Sequence, residues 1–135
     1  MSPQRFTTEE ANRLIPRLSE ILAPLQEKKR ELDALQAKLL EFVRQMSGNG
    51  HILERRVNET RMEAEKTAAA LSDLIEMVNN LGCELKDIDL GLVDFRAVLG
   101  GREVYLCWKL GEDHVRWWHE LDTGFGGRQP LEDTA

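Results

Sequence analysis

The fold is decided by residues 14–46, which read LIPRLSEILAPLQEKKRELDALQAKLLEFVRQM. Large apolar side chains recur in this stretch at alternating steps of four and three residues, and the spacing is interrupted only at Lys28. These positions are Leu14, Leu18, Ile21, Leu25, Leu32, Leu35, Leu39, Phe42 and Met46. A repeat of about 3.5 residues places such side chains along one stripe of an α-helix and is typical of a coiled-coil-like seam. The stretch therefore predicts one long amphipathic helix.

The start of this helix is marked by Thr7 and Glu10, which have the spacing of a capping box. From that cap to the end of the apolar repeat the helix would run for roughly 38 residues, or about 57 Å. Pro16 falls near a late first turn or a kink. Pro24 lies in the interior, where a proline is expected to bend the helix.

A second helix with the same apolar spacing follows a turn at residues 47–50 and runs from about residue 52 to residue 81. Its seam positions are Leu53, Val57, Thr60, Ala64, Thr67, Leu71, Leu74, Val78 and Leu81. Gly82 is expected to cap it. Residues 6–82 thus predict a long antiparallel helical hairpin, coiled-coil-like in its seam. Because two helices must bury their apolar stripes against something more, we expect docking onto the rest of the chain or onto a second copy in a homodimer.

After Gly82 the apolar period changes from 3.5 to 2, which indicates β-strands. One strand alternates through Val104, Leu106, Trp108 and Leu110, and a second through Val115, Trp117, His119 and Leu121, with a turn at residues 111–114. Pairing of Leu110 with Val115 would set Trp108 opposite Trp117 and Leu106 opposite His119. In that register His119 lies on the apolar inner face of the sheet.

A further strand segment precedes the glycine pair Gly100-Gly101. Ile88 and Leu90 have one parity and Val93 and Phe95 the other, so all four face the core only if a bulge falls near Gly91. The expected result is a small antiparallel β-sheet of three or four strands over residues 83–123, followed by an irregular tail at residues 124–135. The prediction for residues 1–135 is a single α+β domain.

Composition restricts the class of protein. Hydrophobic residues make up 41% of the chain, which is too many for general disorder. No apolar run approaches the length of a membrane span, and no signal peptide is predicted.

The two cysteines, Cys83 and Cys107, have no C-x-x-C spacing, so reduced thiols in the cytoplasm are expected rather than disulfides or structural zinc.

The net charge of −6 is concentrated in residues 83–135, where 6 basic and 11 acidic side chains give −5. A nucleic-acid-binding protein needs a clustered basic surface to replace counterions on phosphate. The acidic charge of the β module therefore disfavours nucleic acid as its partner.

The best candidates for a metal site are carboxylates of the β module. With a bulge at Gly91, Asp87, Asp89 and Asp94 would share the face opposite the core, where they could hold Mg²⁺, Ca²⁺ or Mn²⁺. His119 is a further candidate ligand or general base. The simpler alternatives are a solvated acidic face and a buried histidine with one hydrogen bond. Strand alternation also predicts that the aspartates point outward and His119 inward, which separates the two sets.

Two other residues are candidates for contact with a ligand or anion. Arg128, in a glycine-rich segment, could bind a carboxylate or pin the tail to the acidic module. Trp117 could line a pocket between sheet and hairpin together with Trp108 and His119, although an ordinary core would give the same pattern. Cys107 has no basic residue at nucleophile spacing, and we expect an inert thiol in a strand.

Short motifs along nearly the whole chain resemble those of the family called domain of unknown function 2203. They are FTTEEAN at 6–12, KD at 86–87, GLVDF at 91–95, LCW at 106–108, GE at 111–112, WH at 118–119 and GFGGRQPL at 124–131. The chain departs from the family pattern at Arg96, where a proline is expected. The resemblance implies a bacterial cytoplasmic protein and brings neither an activity nor catalytic residues.

Two functions remain after these exclusions. The first is a non-enzymatic interaction module whose hairpin self-associates or binds an unidentified protein partner. The second is a metal-dependent enzyme or metal-binding regulator that uses a divalent cation in the acidic β module. No motif in the sequence decides whether the protein is an enzyme.

Overall fold

The computed structural model describes residues 4–46 and 50–131, without the side chains of residues 50–52. Two helices are followed by five strands, as the α+β prediction requires. The elements are α1 (Thr8–Gln45), α2 (Gly50–Asn80), β1 (Glu84–Asp87), β2 (Leu92–Leu99), β3 (Arg102–Lys109), β4 (Trp117–His119) and β5 (Gln129–Pro130), with a 3₁₀ turn at Phe125–Gly127. Residues 47–49 of the predicted interhelical turn at residues 47–50 lie outside the described residues, and Gly50 is the first residue of α2.

The predicted capping box opens α1. The backbone N–H of Glu10 donates to Thr7 Oγ1 over 3.1 Å, and the backbone N–H of Thr7 donates to Glu10 Oε1 over 2.8 Å. The helix then continues for 38 residues through Pro16 and Pro24 without interruption. At the end of the hairpin Gly82 has a φ of 92°, a left-handed conformation that glycine adopts without strain and that reverses the chain into β1.

The main core lies between one face of the sheet and the half of the hairpin nearest to it. From the helices, its buried members are Ala11, Ile15, Leu18, Ile21, Leu22, Leu25, Leu71 and Val78. Among the described residues, Leu32 is the last of α1 and Leu71 the first of α2 that reaches this core. We call the described residues 33–46 and 53–70 the arm, because their helices pack on each other but not against the sheet core.

The sheet is antiparallel with strand order β1-β2-β3-β4-β5, so it has five strands where three or four are predicted. One additional strand comes from the tail, in which Pro130 pairs with Trp117 of β4. The bulge predicted at Gly91 is wrong: the register shift lies in β1 between Leu85 and Asp87. Gly91, with a φ of 67°, instead closes a turn by donating its N–H to the carbonyl of Ile88 over 3.1 Å.

The predicted pairing of β3 with β4 is wrong by one residue. His119 lies opposite Tyr105, and Trp118 lies opposite Leu106. The predicted tight turn fails because the chain leaves the ladder before Trp117, and the N–H of Val115 donates to Asn12 Oδ1 of α1 over 2.7 Å. Since neighbouring residues of a strand face opposite sides, a shift of one residue reverses every side chain of β4. Trp118 therefore joins the core, while Trp117 and His119 face away from the helices.

Hydrogen bonds also join the beginning of the chain to the sheet. The backbone N–H of Phe6 donates to the carbonyl of Arg96 over 2.8 Å, and the ring of Phe6 meets that of Phe95 edge to face. Together with the contact between Asn12 and Val115, these interactions position the start of α1 across β2 and the segment before β4.

Candidate functional site

Three buried side chains with metal-ligand chemistry meet on the face of the sheet that points away from the helices. Asp94 of β2 lies directly opposite Cys107 of β3, and His119 of β4 lies opposite Tyr105, two residues from Cys107. One ligand atom from each of Asp94, Cys107 and His119 lies within 4.8 Å of the other two. The exposed fractions of the three residues are only 3%, 1% and 2%. We call this group the Asp94–Cys107–His119 site.

Hydrogen bonds orient the imidazole of His119. Its Nδ1 lies 2.7 Å from the backbone carbonyl oxygen of Glu120, and its Nε2 lies 3.0 Å from Asp94 Oδ2. A carbonyl oxygen only accepts hydrogen bonds, so Nδ1 carries a proton. A hydrogen bond between Nε2 and the Asp94 carboxyl then requires a second proton between these two atoms. With Nδ1 donating to the carbonyl, the contact between Nε2 and Asp94 Oδ2 is a hydrogen bond only in the state in which the pair shares this second proton.

Burial shifts the pKa values of Asp94 and Cys107. Loss of solvent raises the pKa of Asp94, while the charge and hydrogen bond of His119 act in the opposite direction. Burial, assisted by the Asp94 carboxylate, raises the pKa of the Cys107 thiol to about 12, although Arg128 opposes this rise. Cys107 is therefore a protonated thiol near neutral pH, and a thiol is a poor nucleophile.

Tyr105 borders the site beside His119, with the two ring centroids 5.5 Å apart. Its hydroxyl donates to Glu84 Oε1 and accepts from the guanidinium of Arg96, each over 3.1 Å. The ammonium of Lys86 lies over the ring at 4.6 Å from its centroid. This side of the site is thus a packed and hydrogen-bonded network.

Arg128 holds the tail over Cys107. Its guanidinium donates to both carboxylate oxygens of Glu112, over 2.7 and 3.1 Å, and to the backbone carbonyl of Cys107 over 3.3 Å. The guanidinium carbon lies 5.2 Å from the ring centroid of Trp117 and 4.7 Å from that of Phe125. Arg128 and Trp117, both predicted to contact a ligand, thus contact each other here.

The structure brings together two of the four predicted metal ligands, Asp94 and His119. The predicted separation of these two is wrong, because the shifted β4 register places His119 on the face of Asp94. Asp87 instead accepts the N–H of Leu90 over 2.9 Å, and Asp89 forms an ion pair with Lys29 at 3.4 Å. Within the described chain, neither belongs to a group of three possible metal ligands.

Cys107 is the member of this site that was not a candidate from the sequence, and a signal for it exists. A tight turn at Gly100-Gly101 pairs Leu99 with Arg102, and counting outward from that pair sets Asp94 opposite Cys107. Combining the turn with strand alternation would therefore have placed the carboxylate and the thiol side by side.

Both cysteines are expected to be unreactive in the folded protein. Burial raises the pKa of Cys83 to about 11 and that of Cys107 to about 12, so few thiolates are present near neutral pH. In chelator, we expect a thiol-specific disulfide reagent to react with native protein at least about 100-fold more slowly than with unfolded protein. Ser72→Cys, at an exposed position of α2, should add one rapidly reacting thiol. Rapid reaction of the unmodified native protein would contradict the burial of these thiols.

Comparison with known families adds one match. Residues 4–131 match a family described as "Uncharacterized conserved protein (DUF2203)". The chain belongs to the DUF2203 family. The match includes both helices, all five strands and the Asp94–Cys107–His119 site, so the DUF2203 unit consists of hairpin and sheet together. No curated protein and no solved structure matches this DUF2203 chain. Within its described residues, neither helix has the apolar length needed to cross a bilayer.

Proposed function

We propose that this DUF2203 protein binds a divalent transition-metal ion of the zinc class through Cys107 Sγ, His119 Nε2 and Asp94 Oδ2. The observation that carries the proposal is that one sulfur, one nitrogen and one oxygen atom of these three residues meet within 4.8 Å of one another in a buried position. Zinc is bound in proteins by this set of donors, with bonds of about 2.0–2.3 Å. At tetrahedral angles such bonds place ligand atoms about 3.3–3.6 Å apart, so closure around an ion requires shifts of about 1 Å.

The orientation of His119 supports this role. Histidines that bind a metal through one ring nitrogen usually donate the other N–H to a carbonyl or carboxylate, which fixes the ring and its tautomer. Here Nδ1 has that partner in the Glu120 carbonyl, and Nε2 faces Asp94. An ion between Nε2 and Asp94 Oδ2 would replace the proton that the two atoms share.

Charge balance favours a divalent ion. In the metal-free site two protons can be displaced, one from the Cys107 thiol and one from between His119 and Asp94. Replacing both with M²⁺ leaves a thiolate, a carboxylate and a neutral imidazole around the ion, and the sum of charges is zero. A neutral assembly is the least costly one to bury. The thiolate favours zinc over the hard cations Mg²⁺ and Ca²⁺, which prefer oxygen ligands and were expected from the aspartates alone.

The arrangement supports metal binding, and the three ligands that meet among the described residues leave one position of a tetrahedral ion open. That open position is compatible with the metal-dependent activity or regulation considered from the sequence. Arg128 lies on the same face of the sheet, because its guanidinium carbon lies 5.2 Å from the ring centroid of Trp117, which faces away from the helices.

Metal titration tests the proposal. We expect chelator-treated protein to take up one Zn²⁺ per chain in competition with a chromophoric chelator, and Cys107→Ser to weaken binding at least about 100-fold. Cys83→Ser is the matched control, because Cys83 is buried but lies outside the site. With Co²⁺, the charge-transfer absorption of a thiolate ligand should appear in the parent protein and in Cys83→Ser but not in Cys107→Ser.

Two further variants distinguish the site from adventitious binding. His119→Gln and Asp94→Asn should each weaken Zn²⁺ binding while circular dichroism shows that the fold is retained. Equal affinity of the Cys107→Ser and Cys83→Ser proteins, or no uptake by the folded parent protein, would refute a metal site at these residues.

A further inference from the structure

The part of α1 that belongs to the arm is apolar on more of its surface than α2 covers. Five large apolar side chains occur within residues 35–43, and none of them is buried. They are Leu35, Leu39, Leu40, Phe42 and Val43. At about 100° per residue they span about 160° of the helix, whereas the apolar stripe that faces a single neighbour is about 100° wide. Packing against α2 alone therefore cannot cover the apolar surface of residues 35–43.

Leu40 and Val43 lie on the uncovered side. They are 55% and 50% exposed, while the seam residues Leu35, Leu39 and Phe42 are partly buried. On the α2 side, two of the four buried seam positions in the arm are threonines, Thr60 and Thr67, so the arm buries little apolar surface by itself. Leu40 and Val43 are three positions apart and therefore neighbours on the helix surface, and adjoining exposed apolar side chains occur at interaction sites.

Leu40 belongs to a stripe of four exposed residues along α1 that has opposite charges at its two ends. Asp33, Ala37, Leu40 and Arg44 follow one another at steps of four, three and four residues, and all four are exposed. We call these four residues the outer stripe. Along the helix it begins with a carboxylate, continues through a small and a large apolar side chain, and ends with a guanidinium.

This order makes the outer stripe complementary to itself in the reverse direction. In an antiparallel pair of α1 helices, Asp33 of one copy lies level with the partner's Arg44, and Ala37 lies level with the partner's Leu40. Each interface then contains two ion pairs at its ends and two contacts of leucine with alanine at its centre. A parallel pair would instead set like charges level with each other.

We propose that the outer stripe is a self-association surface that pairs antiparallel with the outer stripe of a second copy about a two-fold axis. A two-fold interface requires a surface that is complementary to itself, and the charge order supplies that property. In the single chain Asp33 pairs with Lys29 at 2.9 Å and Arg44 with Glu41 at 3.6 Å. These are exposed pairs within one helix, which contribute little and exchange readily for pairs across the interface.

Charge reversal and its rescue test the proposal in the full chain. Sedimentation equilibrium over a range of concentrations should give a mass approaching twice the 15.5 kDa of the chain. In the antiparallel dimer, Asp33→Arg places two guanidinium groups opposite each other at each end of the interface. Arg44→Asp places two carboxylates opposite each other at the same positions. We expect each change to raise the dimer dissociation constant at least about 10-fold. The double variant Asp33→Arg/Arg44→Asp has a reversed but again complementary order and should recover the dimer.

Controls separate this interface from general effects of charge or stability. Asp73→Arg, at an exposed position of α2 outside the outer stripe, changes the net charge as Asp33→Arg does and should leave the dimer intact. Leu40→Glu should give a monomer, whereas Met62→Glu, at a 66% exposed position of α2, should not. A parent protein that stays monomeric at high concentration, or a double variant as weak as the single ones, would overturn the proposal. Dissociation by Met62→Glu without any effect of Leu40→Glu would also overturn it.

Discussion

Trp118→Ala is expected to lower the free energy of unfolding by about 3–5 kcal/mol, the range for removing a buried tryptophan side chain from a core. Trp118 is 8% exposed and packs in the main core opposite Leu106. Trp117→Ala, one position earlier, should cost only about 1 kcal/mol, because that ring is partly exposed on the other face of the sheet. Urea denaturation followed by circular dichroism in chelator measures both values.

The comparison of the two tryptophans is a direct test of the β4 register. The two positions are adjacent in the chain and carry the same side chain, so only the face of the sheet differs. If Trp117→Ala proved the more destabilising change, the pairing predicted from the sequence would be the correct one, and His119 would lie in the core.

Asp94→Ala is expected to destabilise the metal-free protein by about 3 kcal/mol. Removal of one partner from a buried, hydrogen-bonded pair leaves the other unsatisfied, and here the side chain of Asp94 is 5% exposed and that of His119 is 2% exposed. The double variant Asp94→Ala/His119→Ala should cost less than the sum of the single variants, with a coupling of about 1–3 kcal/mol.

A double-mutant cycle in chelator provides this measurement. Glu20→Ala is a suitable reference, since Glu20 pairs with Arg17 on the surface of α1 and its removal should change stability by no more than about 0.5 kcal/mol. Strict additivity of the Asp94 and His119 changes would mean that the two side chains do not form the hydrogen bond seen in the structure.

The hairpin was predictable because its signals are local. Three signals each depend on residues a few positions apart: the capping box of Thr7 and Glu10, the apolar repeat through residues 14–46, and the left-handed Gly82. The hydrophobic period also identified the core face of β2 and β3, where Val93, Phe95, Leu106 and Trp108 are all buried. In these segments the apolar pattern and the turn chemistry favour the same structure.

The sheet was less predictable where its geometry depends on distant residues. Val115 leaves the β ladder because Asn12, 103 positions away, accepts its N–H, and no feature of residues 110–116 indicates this contact. β5 contains only Gln129 and Pro130, which is too short to show alternation. The number of strands and the register of β4 therefore could not be read from the local pattern.

For the same reason, only two of the three residues of the site could be identified as candidate ligands from the sequence. Asp94 and His119 were candidates by residue type, but the predicted register put them on opposite faces. Asp87 and Asp89 look equivalent to Asp94 in sequence, yet Asp87 caps a turn and Asp89 pairs with Lys29. Only the paired strands distinguish the buried carboxylate from the exposed ones.

The hydrogen bond between Asn12 and Val115 also bears on the order in which the molecule assembles. The two helices are consecutive in the chain and the strands pair in sequence order, so the hairpin and the meander need only short loops to close, and such local contacts favour fast folding. The hydrogen bond between Asn12 and Val115 spans 103 residues, against 62 for the bond from Gln26 to the Ile88 carbonyl, so of these two contacts it carries the larger entropic penalty of loop closure. We therefore expect docking of the hairpin onto the sheet to come late in folding, and before that step the apolar face of the hairpin would be exposed to aggregation.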